Sequence, residues 1–320
     1  MTGPGFPPRV HIQEVVTRDG LQIEPRFLPT EDKVALIDAL SQTGVAKIEV
    51  TSFVSPKAVP NLADAAEVAR AITRRPDVTY VALVPNLRGA AAALEAGMDE
   101  LNLVLSVSET HNLANMRMTP AQSLEGFRRI VAAATGTRAT LNGSIATAFG
   151  CPFEGRQSAE KVLDLSEALL AAGLHSVTLA DTTGMANPRQ VGALVSAFRA
   201  RFPGVPLTLH FHNTRGMGLA NVLAALEAGA DRFDASLGGI GGCPFAPGAT
   251  GNISTEDLAH MLGEMGVATE VDLAGLLALA RSLPALLGHD IPGQVAKAGR
   301  SGDLHPVPAH LGAPLETPPQ

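Results

Sequence analysis

Short apolar runs rich in β-branched residues alternate with longer Ala- and Leu-rich segments of helical spacing, and they do so eight times along the chain. The runs are 10–17 (VHIQEVVT), 47–52 (KIEVTS), 79–84 (TYVALV), 100–106 (ELNLVLS), 138–147 (RATLNGSIAT), 176–181 (SVTLAD), 207–213 (LTLHFHN) and 232–239 (RFDASLGG). Helical patterns follow near 31–43, 58–74, 87–97, 119–134, 158–173, 188–201, 217–229 and 254–265, several introduced by capping or turn residues such as Thr30, Thr119, Ser158 and Ser254. Strands joined through helices lie parallel, and eight such units predict an α/β fold of the (β/α)8 TIM-barrel class. An open doubly wound sheet fits less well, because it usually carries a glycine-rich phosphate turn after its first strand. Here the first strand runs into Thr17-Arg18-Asp19-Gly20. Residues 270–288 predict an additional carboxy-terminal helical segment, so one domain is expected over 1–300. The tail 301–320 has five prolines and little apolar content and is expected to be mobile.

Alternation along each strand separates residues facing the barrel interior from those facing the helices. In the seventh strand Leu207, Leu209 and Phe211 share one face, which turns Thr208, His210 and His212 inward. The same count sends Lys47, Glu49 and Thr51, Asn102 and Ser106, Asn142 and Ser144, and Asp234 and Ser236 inward. Polar groups in a barrel interior cost free energy unless they are paired or functional. Function is therefore expected there.

Composition narrows the classes. The chain has 320 residues, 46% of them hydrophobic and 17% charged, with 24 Lys plus Arg against 31 Asp plus Glu, for a net charge of −7. No basic run or basic-aromatic patch occurs, which argues against nucleic acid as a partner. No uninterrupted apolar run approaches the roughly 20 residues needed to span a bilayer, so no membrane is expected. Two cysteines, Cys151 and Cys243, cannot build a disulfide framework, and the opening MTGPGFPPRV resembles neither a signal peptide nor an Arg-rich presequence. A cytoplasmic, reduced protein is the expectation.

Sites in this architecture lie at the carboxyl ends of the strands. Those ends carry Arg18-Asp19, Glu49-Val50-Thr51-Ser52, Asp181-Thr182-Thr183-Gly184 and His210-Phe211-His212-Asn213, and after the eighth strand comes the glycine loop 238–251 (GGIGGCPFAPGATG), leading to Asn252. His-x-His on one strand puts two imidazoles on one face about 6.5 to 7 Å apart along the chain, close enough to share a cation. Asp19 offers a third ligand and the Asn252 amide oxygen a further candidate, a mixed O/N set suited to Mg or Mn more than to structural zinc. The alternative is that His210 and His212 are neutral, hydrogen-bonded interior residues. Cys243 stands among Gly239, Gly241, Gly242, Gly248 and Gly251, a setting too rich in glycine for simple packing. Cys151, in FGCPFEG, reads as a small buried hydrophobe. Arg18 beside Asp19 is either a surface cation or an interior electrostatic group.

Several stretches resemble the HMG-CoA lyases of a metal-dependent carbon-carbon lyase superfamily built on a TIM barrel. They are RDGLQIEP (18–25), IEVTSFVSPKAVPNLAD (48–64), LVPNLRG (83–89), FGCPFEG (149–155), ADTTGM (180–185), HFHNTRGMGLANVLAALEAG (210–229) and GGCPFAPGATGNISTEDL (241–258). The last separates lyases from related Claisen-condensing synthases, which share His-x-His without this cysteine loop. The resemblance implies metal ligation by Asp19, His210, His212 and Asn252, a divalent cation such as Mg or Mn, and a CoA thioester as substrate. It implies catalytic roles for Arg18, Cys243, Asp181 and Glu49, substrate contacts from Arg18, Asn142, Ser144 and Thr178, and support from Glu14 and Glu256. The implied reaction is retro-Claisen cleavage of a 3-hydroxy-3-methylglutaryl-CoA-like thioester to acetyl-CoA and a keto acid such as acetoacetate. Monomer and homodimer both remain open.

The departures fall near the acyl pocket. Asn213 replaces a usual aspartate, 106–119 diverges after Ser108-Glu109, and Leu141-Asn142-Gly143-Ser144 stands where a typical lyase has an arginine-glycine-tyrosine-like run. A lyase for a related 3-hydroxyacyl-CoA and a condensing synthase of the isopropylmalate or homocitrate type are the alternative enzymes. A binding barrel without catalysis would leave Arg18, Asp19, His210, His212, Cys243 and Asn252 unexplained together.

Overall fold

The computed structural model describes residues 5–242 and 251–308. Eight strands close into a parallel barrel in chain order: β1 (His11–Glu14), β2 (Lys47–Ser52), β3 (Thr79–Leu83), β4 (Glu100–Ser106), β5 (Thr140–Ala146), β6 (Ser176–Asp181), β7 (Leu207–Phe211) and β8 (Arg232–Ala235). Closure comes from β1 pairing with β8, in register from His11 opposite Arg232 to Glu14 opposite Ala235. Around it lie α1 (Thr30–Leu40), α2 (Ala65–Ala71), α3 (Leu87–Glu95), α4 (Glu109–Met116), α5 (Pro120–Ala134), α6 (Ala159–Ala171), α7 (Pro188–Arg201), α8 (Gly218–Glu227) and α9 (Thr255–Glu264). The expected carboxy-terminal helix is α10 (Leu273–Leu287), and a short α11 (Val295–Ala298) follows.

The apolar core is the layer between sheet and helices. Ile12, Ile48, Val50, Leu101, Leu103, Val177, Leu179, Leu207, Leu209 and Phe211 on the strands are buried in one cluster with Ile37, Phe127, Ile130, Val162, Val191, Val195 and Phe198 from the helices. Because the strands present their apolar residues outward, their alternate positions are left to carry polarity into the interior. That division is why this barrel can hold a site at its centre.

The local chemistry sets the boundaries. Thr119 and Gln122 form a reciprocal capping box at α5, and the Ser254 side chain caps α9. Thr30 and Ser158 do not cap: Thr30 is the first residue of α1 and donates its hydroxyl to Asp64 (2.8 Å), and the Ser158 side chain makes no capping bond. The helical pattern of 58–74 resolves into a tight turn, Pro60–Leu62, and α2. Residues 106–119 contain a helix that periodicity did not reveal, α4, capped by Ser108.

Candidate active site

The chain leaves β1 through a tight helical turn, Val16–Gly20, in which the Val15 carbonyl accepts N–H groups from Arg18 (3.2 Å), Asp19 (2.8 Å) and Gly20 (3.3 Å). The strand expected to reach residue 17 therefore ends at Glu14, and the turn delivers Arg18 and Asp19 to the barrel mouth. His210 comes from the end of β7 and His212 from just beyond it, where an isolated bridge to Asn252 holds the returning chain alongside. The Asp19, His210 and His212 side chains converge, all buried. The two Nε2 atoms lie 3.0 Å apart, and Asp19 Oδ2 is 3.6 Å from His212 Nε2 and 4.0 Å from His210 Nε2.

Adjacent ligands of an octahedral ion with arms of about 2.1 Å stand roughly 3 Å apart, so the two imidazole nitrogens already have the spacing of neighbouring ligands. Asn252 donates to Asp19 Oδ2 (2.7 Å) and to the Ile240 carbonyl (3.2 Å), while its own Oδ1 is buried with no partner among the described residues. An orphaned amide oxygen beside two imidazoles and a carboxylate fits a hard divalent cation. Charge agrees with this. Asp19, Glu49, Glu100 and Asp234 face Arg18 and Lys47 inside the barrel, which leaves two negative charges when both histidines are neutral. A divalent ion would balance them.

Burial opposes charge on Asp19, yet the Arg18 guanidinium and the bonds and charges of His212 and His210 hold its carboxyl well below the ordinary range. Burial lowers the His212 pKa, which favours the neutral, ligating imidazole. On His210 burial is outweighed by the hydrogen bond and charge of Asp234 and the charge of Asp19, so its pKa is raised. Arg18 donates from Nη1 to Asp19 Oδ1 (2.6 Å) and from Nε to Glu49 Oε2. Burial works against its charge, but Glu49 and Asp19 more than compensate and keep it protonated. The interior reading of Arg18 holds, since only 11% of its side chain is exposed.

Below this cluster runs a neutral polar layer. Asn102 donates to Glu49 Oε1 (2.7 Å) and accepts from Ser144 (2.7 Å) and Asn142 (3.0 Å), and Asn142 also donates to Thr178 Oγ1 (2.9 Å) and accepts from Ser176 (2.8 Å). Asn142 and Thr178 line a small polar cavity with Gln13, Glu49, Asn102 and Asp234. Ser144 spends its proton on Asn102.

Asp181, at the end of β6, accepts the Met185 (2.7 Å) and Ala186 (3.0 Å) N–H groups through Oδ1, and its buried Oδ2 has no partner among the described residues. Burial raises it to about 6, near the range of a general base. Glu14 lies away from the trio and ties three segments together, accepting from Val16 N (2.8 Å), Leu237 N (2.9 Å) and Thr255 Oγ1 (2.7 Å). Glu256 accepts from Gly238 N (3.0 Å). Cys151 is fully buried and donates to Ser108 Oγ (3.0 Å), as expected of a structural cysteine. Cys243 lies outside the described residues.

Two contributors escaped the sequence reading. Gln22 donates to Asp19 Oδ1 (2.8 Å) within the RDGLQ stretch, and Asp234, noted only as inward, meets His210 Nδ1 at 3.2 Å. The register of β7 with β8 pairs His210 with Asp234, a signal available once the barrel order is known.

A closed (β/α)8 barrel gathers two histidines and one carboxylate at its mouth, a group that could hold a metal ion. The model of the HMGL-like family matches residues 9–283, and the chain belongs to that family. It is 46% identical over 287 residues, 90% of this chain and 96% of the relative, to the hydroxymethylglutaryl-CoA lyase YngG of Bacillus subtilis. An (R)-citramalyl-CoA lyase of Chloroflexus aurantiacus is 44% identical over 300 residues, covering 91% of this chain and 95% of that one. A solved HMG-CoA lyase of Acinetobacter baumannii, in complex with coenzyme A and 3-methylmalate, superposes with a TM-score of 0.92 at 60% identity, covering 94% of this chain and 98% of its own. No described helix is long and apolar enough to cross a membrane.

Proposed function

We propose that this protein is a divalent-cation-dependent carbon-carbon lyase that cleaves 3-hydroxy-3-methylglutaryl-CoA to acetyl-CoA and acetoacetate. The observation that carries the reading is the Asp19, His210 and His212 cluster in a chain 46% identical to a hydroxymethylglutaryl-CoA lyase over most of both lengths. Asp19, His210, His212 and the Asn252 amide oxygen would hold the ion, Mg or Mn by the hardness of the set. Bound there, the ion would polarise the substrate's 3-hydroxyl and lower its pKa.

The chain's own groups supply the rest. Asp181, with one oxygen tied to backbone and the other unpartnered among the described residues, accepts the hydroxyl proton. The C2–C3 bond then breaks, the former carbinol becomes the ketone of acetoacetate, and the bonding pair passes to C2 as a thioester enolate. Arg18, fixed by Glu49 and Asp19 in a nearly dry mouth, stabilises the enolate oxygen. Cys243 delivers a proton to C2 and completes acetyl-CoA. Glu49 acts by aiming Arg18, and Glu14 and Glu256 act by holding backbone near the site.

A second substrate has specific support. The citramalyl-CoA lyase is similar at nearly the same identity, and Asn142 and Ser144, bonded to Asn102 in this chain, stand where the resemblance implies an arginine-glycine-tyrosine-like run. Citramalyl-CoA places its carboxylate directly on the carbinol carbon and would yield pyruvate. Incubating the Mn-loaded enzyme with each thioester and identifying the keto acid by mass spectrometry tests both. Acetoacetate formed at the higher kcat/KM supports the proposal. Pyruvate formed at the higher kcat/KM assigns the second substrate, and no cleavage of either rejects the reading.

A further inference from the structure

We propose that Asp234 is a positioning residue that fixes the tautomer and orientation of His210 and thereby sets cation affinity at the site. The inference rests on the cation reading above, since it gives His210 Nε2 a ligand role.

The geometry leaves His210 one arrangement for that role. Its Nε2 faces His212 Nε2 at 3.0 Å and Asp19 at 4.0 Å, so a ligating lone pair must be on Nε2 and the ring proton on Nδ1. Nδ1 points the other way, at Asp234 Oδ2, 3.2 Å distant. A carboxylate accepting that N–H locks the ring and makes its far nitrogen a better donor. The contact follows from the fold, because His210 and Asp234 are register partners on β7 and β8 with both side chains turned inward. His212 has no counterpart: its Nδ1 is buried without a partner among the described residues. One of the two histidines is thus braced and the other is not.

The placement is otherwise costly. Asp234 adds a negative charge to an interior that already holds Glu49, and after burial its charge is among the effects that push the Glu49 carboxyl up. Its one described hydrogen bond is to His210. Arg18 also feels its charge, which gives the rival explanation that Asp234 serves the guanidinium rather than the imidazole.

The test uses Asp234→Asn, nearly isosteric and uncharged, and Asp234→Ala. Metal-free protein is titrated with Mn2+ and free ion counted by electron paramagnetic resonance, and the metal-free His210 tautomer is read by 15N–1H correlation NMR, with His210→Asn supplying the assignment. Thermal midpoints report folding. Mn2+ affinity is expected to fall about 10- to 100-fold in folded Asp234→Ala and less in Asp234→Asn. The Nδ1–H signal of His210 should persist in the wild type and in Asp234→Asn and be lost in Asp234→Ala. Unchanged affinity in both variants, with kcat alone reduced, would assign Asp234 to Arg18 and overturn the proposal. An Nε2–H tautomer in the metal-free wild type would overturn it too. Failure of the wild type to bind Mn2+ would instead reject the cation reading, and the tautomer signals would still judge the His210–Asp234 contact.

Discussion

Replacing Glu49 by alanine should damage stability and catalysis through the same group, Arg18. The substitution removes the acceptor of Arg18 Nε and the acceptor of Asn102 Nδ2, leaving the guanidinium hydrogen-bonded to Asp19, 2.6 Å away. Arg18 is 11% exposed and Glu49 5%, so solvent does little to replace the lost charge. Breaking one side of a buried pair costs about 3 to 5 kcal/mol, and the Asp19 carboxylate that Arg18 keeps favours the lower end. For 320 residues the unfolding entropy is about 0.7 kcal/mol per degree, which turns about 3 kcal/mol into a fall of about 4 to 5 °C in Tm. An Arg18 no longer aimed at the enolate should reduce kcat by about 10²- to 10³-fold. Circular dichroism melting and coupled acetyl-CoA release would be measured for Glu49→Ala, Arg18→Met and the double variant. The double variant should regain part of the lost Tm, because the unpaired guanidinium is gone while Asp19 keeps the Gln22 and Asn252 hydrogen bonds, and it should remain inactive. A Glu49→Ala protein with native Tm and native kcat, or a double variant no more stable than Glu49→Ala, would refute the reasoning.

Burial raises Glu14 to about 8 and Glu256 to about 7, the former against three donors that favour its charge. The folded state therefore holds protons that the unfolded chain releases above its ordinary 4.5, so Tm should fall as pH rises from about 5 to 8. Glu14→Gln should flatten that decline, and an unchanged slope in chemical denaturation would count against the assignment. On the reading of Ser144 as a substrate-contact residue, Ser144→Tyr should shift the HMG-CoA to citramalyl-CoA ratio of kcat/KM by about 1 to 3 kcal/mol, and an unaltered ratio would remove Ser144 from the pocket. Cys243→Ser should lower kcat by orders of magnitude with Mn2+ affinity unchanged, and native turnover in that variant would leave enolate protonation to another group.

Much of this arrangement was legible in the chain because barrel strands obey a period of two. Fixing Leu207, Leu209 and Phe211 on the helix side was enough to send His210 and His212 inward, and the structure buries both beside Asp19. What parity cannot supply is which inward residues meet. Asn102, Asn142, Ser144 and Thr178 come from three strands, and their hydrogen bonds depend on registers 36 to 42 residues apart. The end of β1 was misplaced for a different reason. Val15, Val16 and Thr17 have strong strand preference, but Glu14 draws the Val16 N–H away and the Val15 carbonyl collects the turn. Helix α4 was hidden by its low apolar content, and its cap Ser108 stands just where segment 106–119 begins to diverge.

The central claim is a cation-dependent cleavage at Asp19, His210 and His212. Its most direct test is acetyl-CoA formation from HMG-CoA by metal-stripped protein titrated with Mn2+. Activity should be absent without metal, rise linearly and saturate at one ion per chain, with no such rise in Asp19→Asn or His212→Ala. Full activity in the stripped protein, or a rise preserved in those variants, would contradict the account.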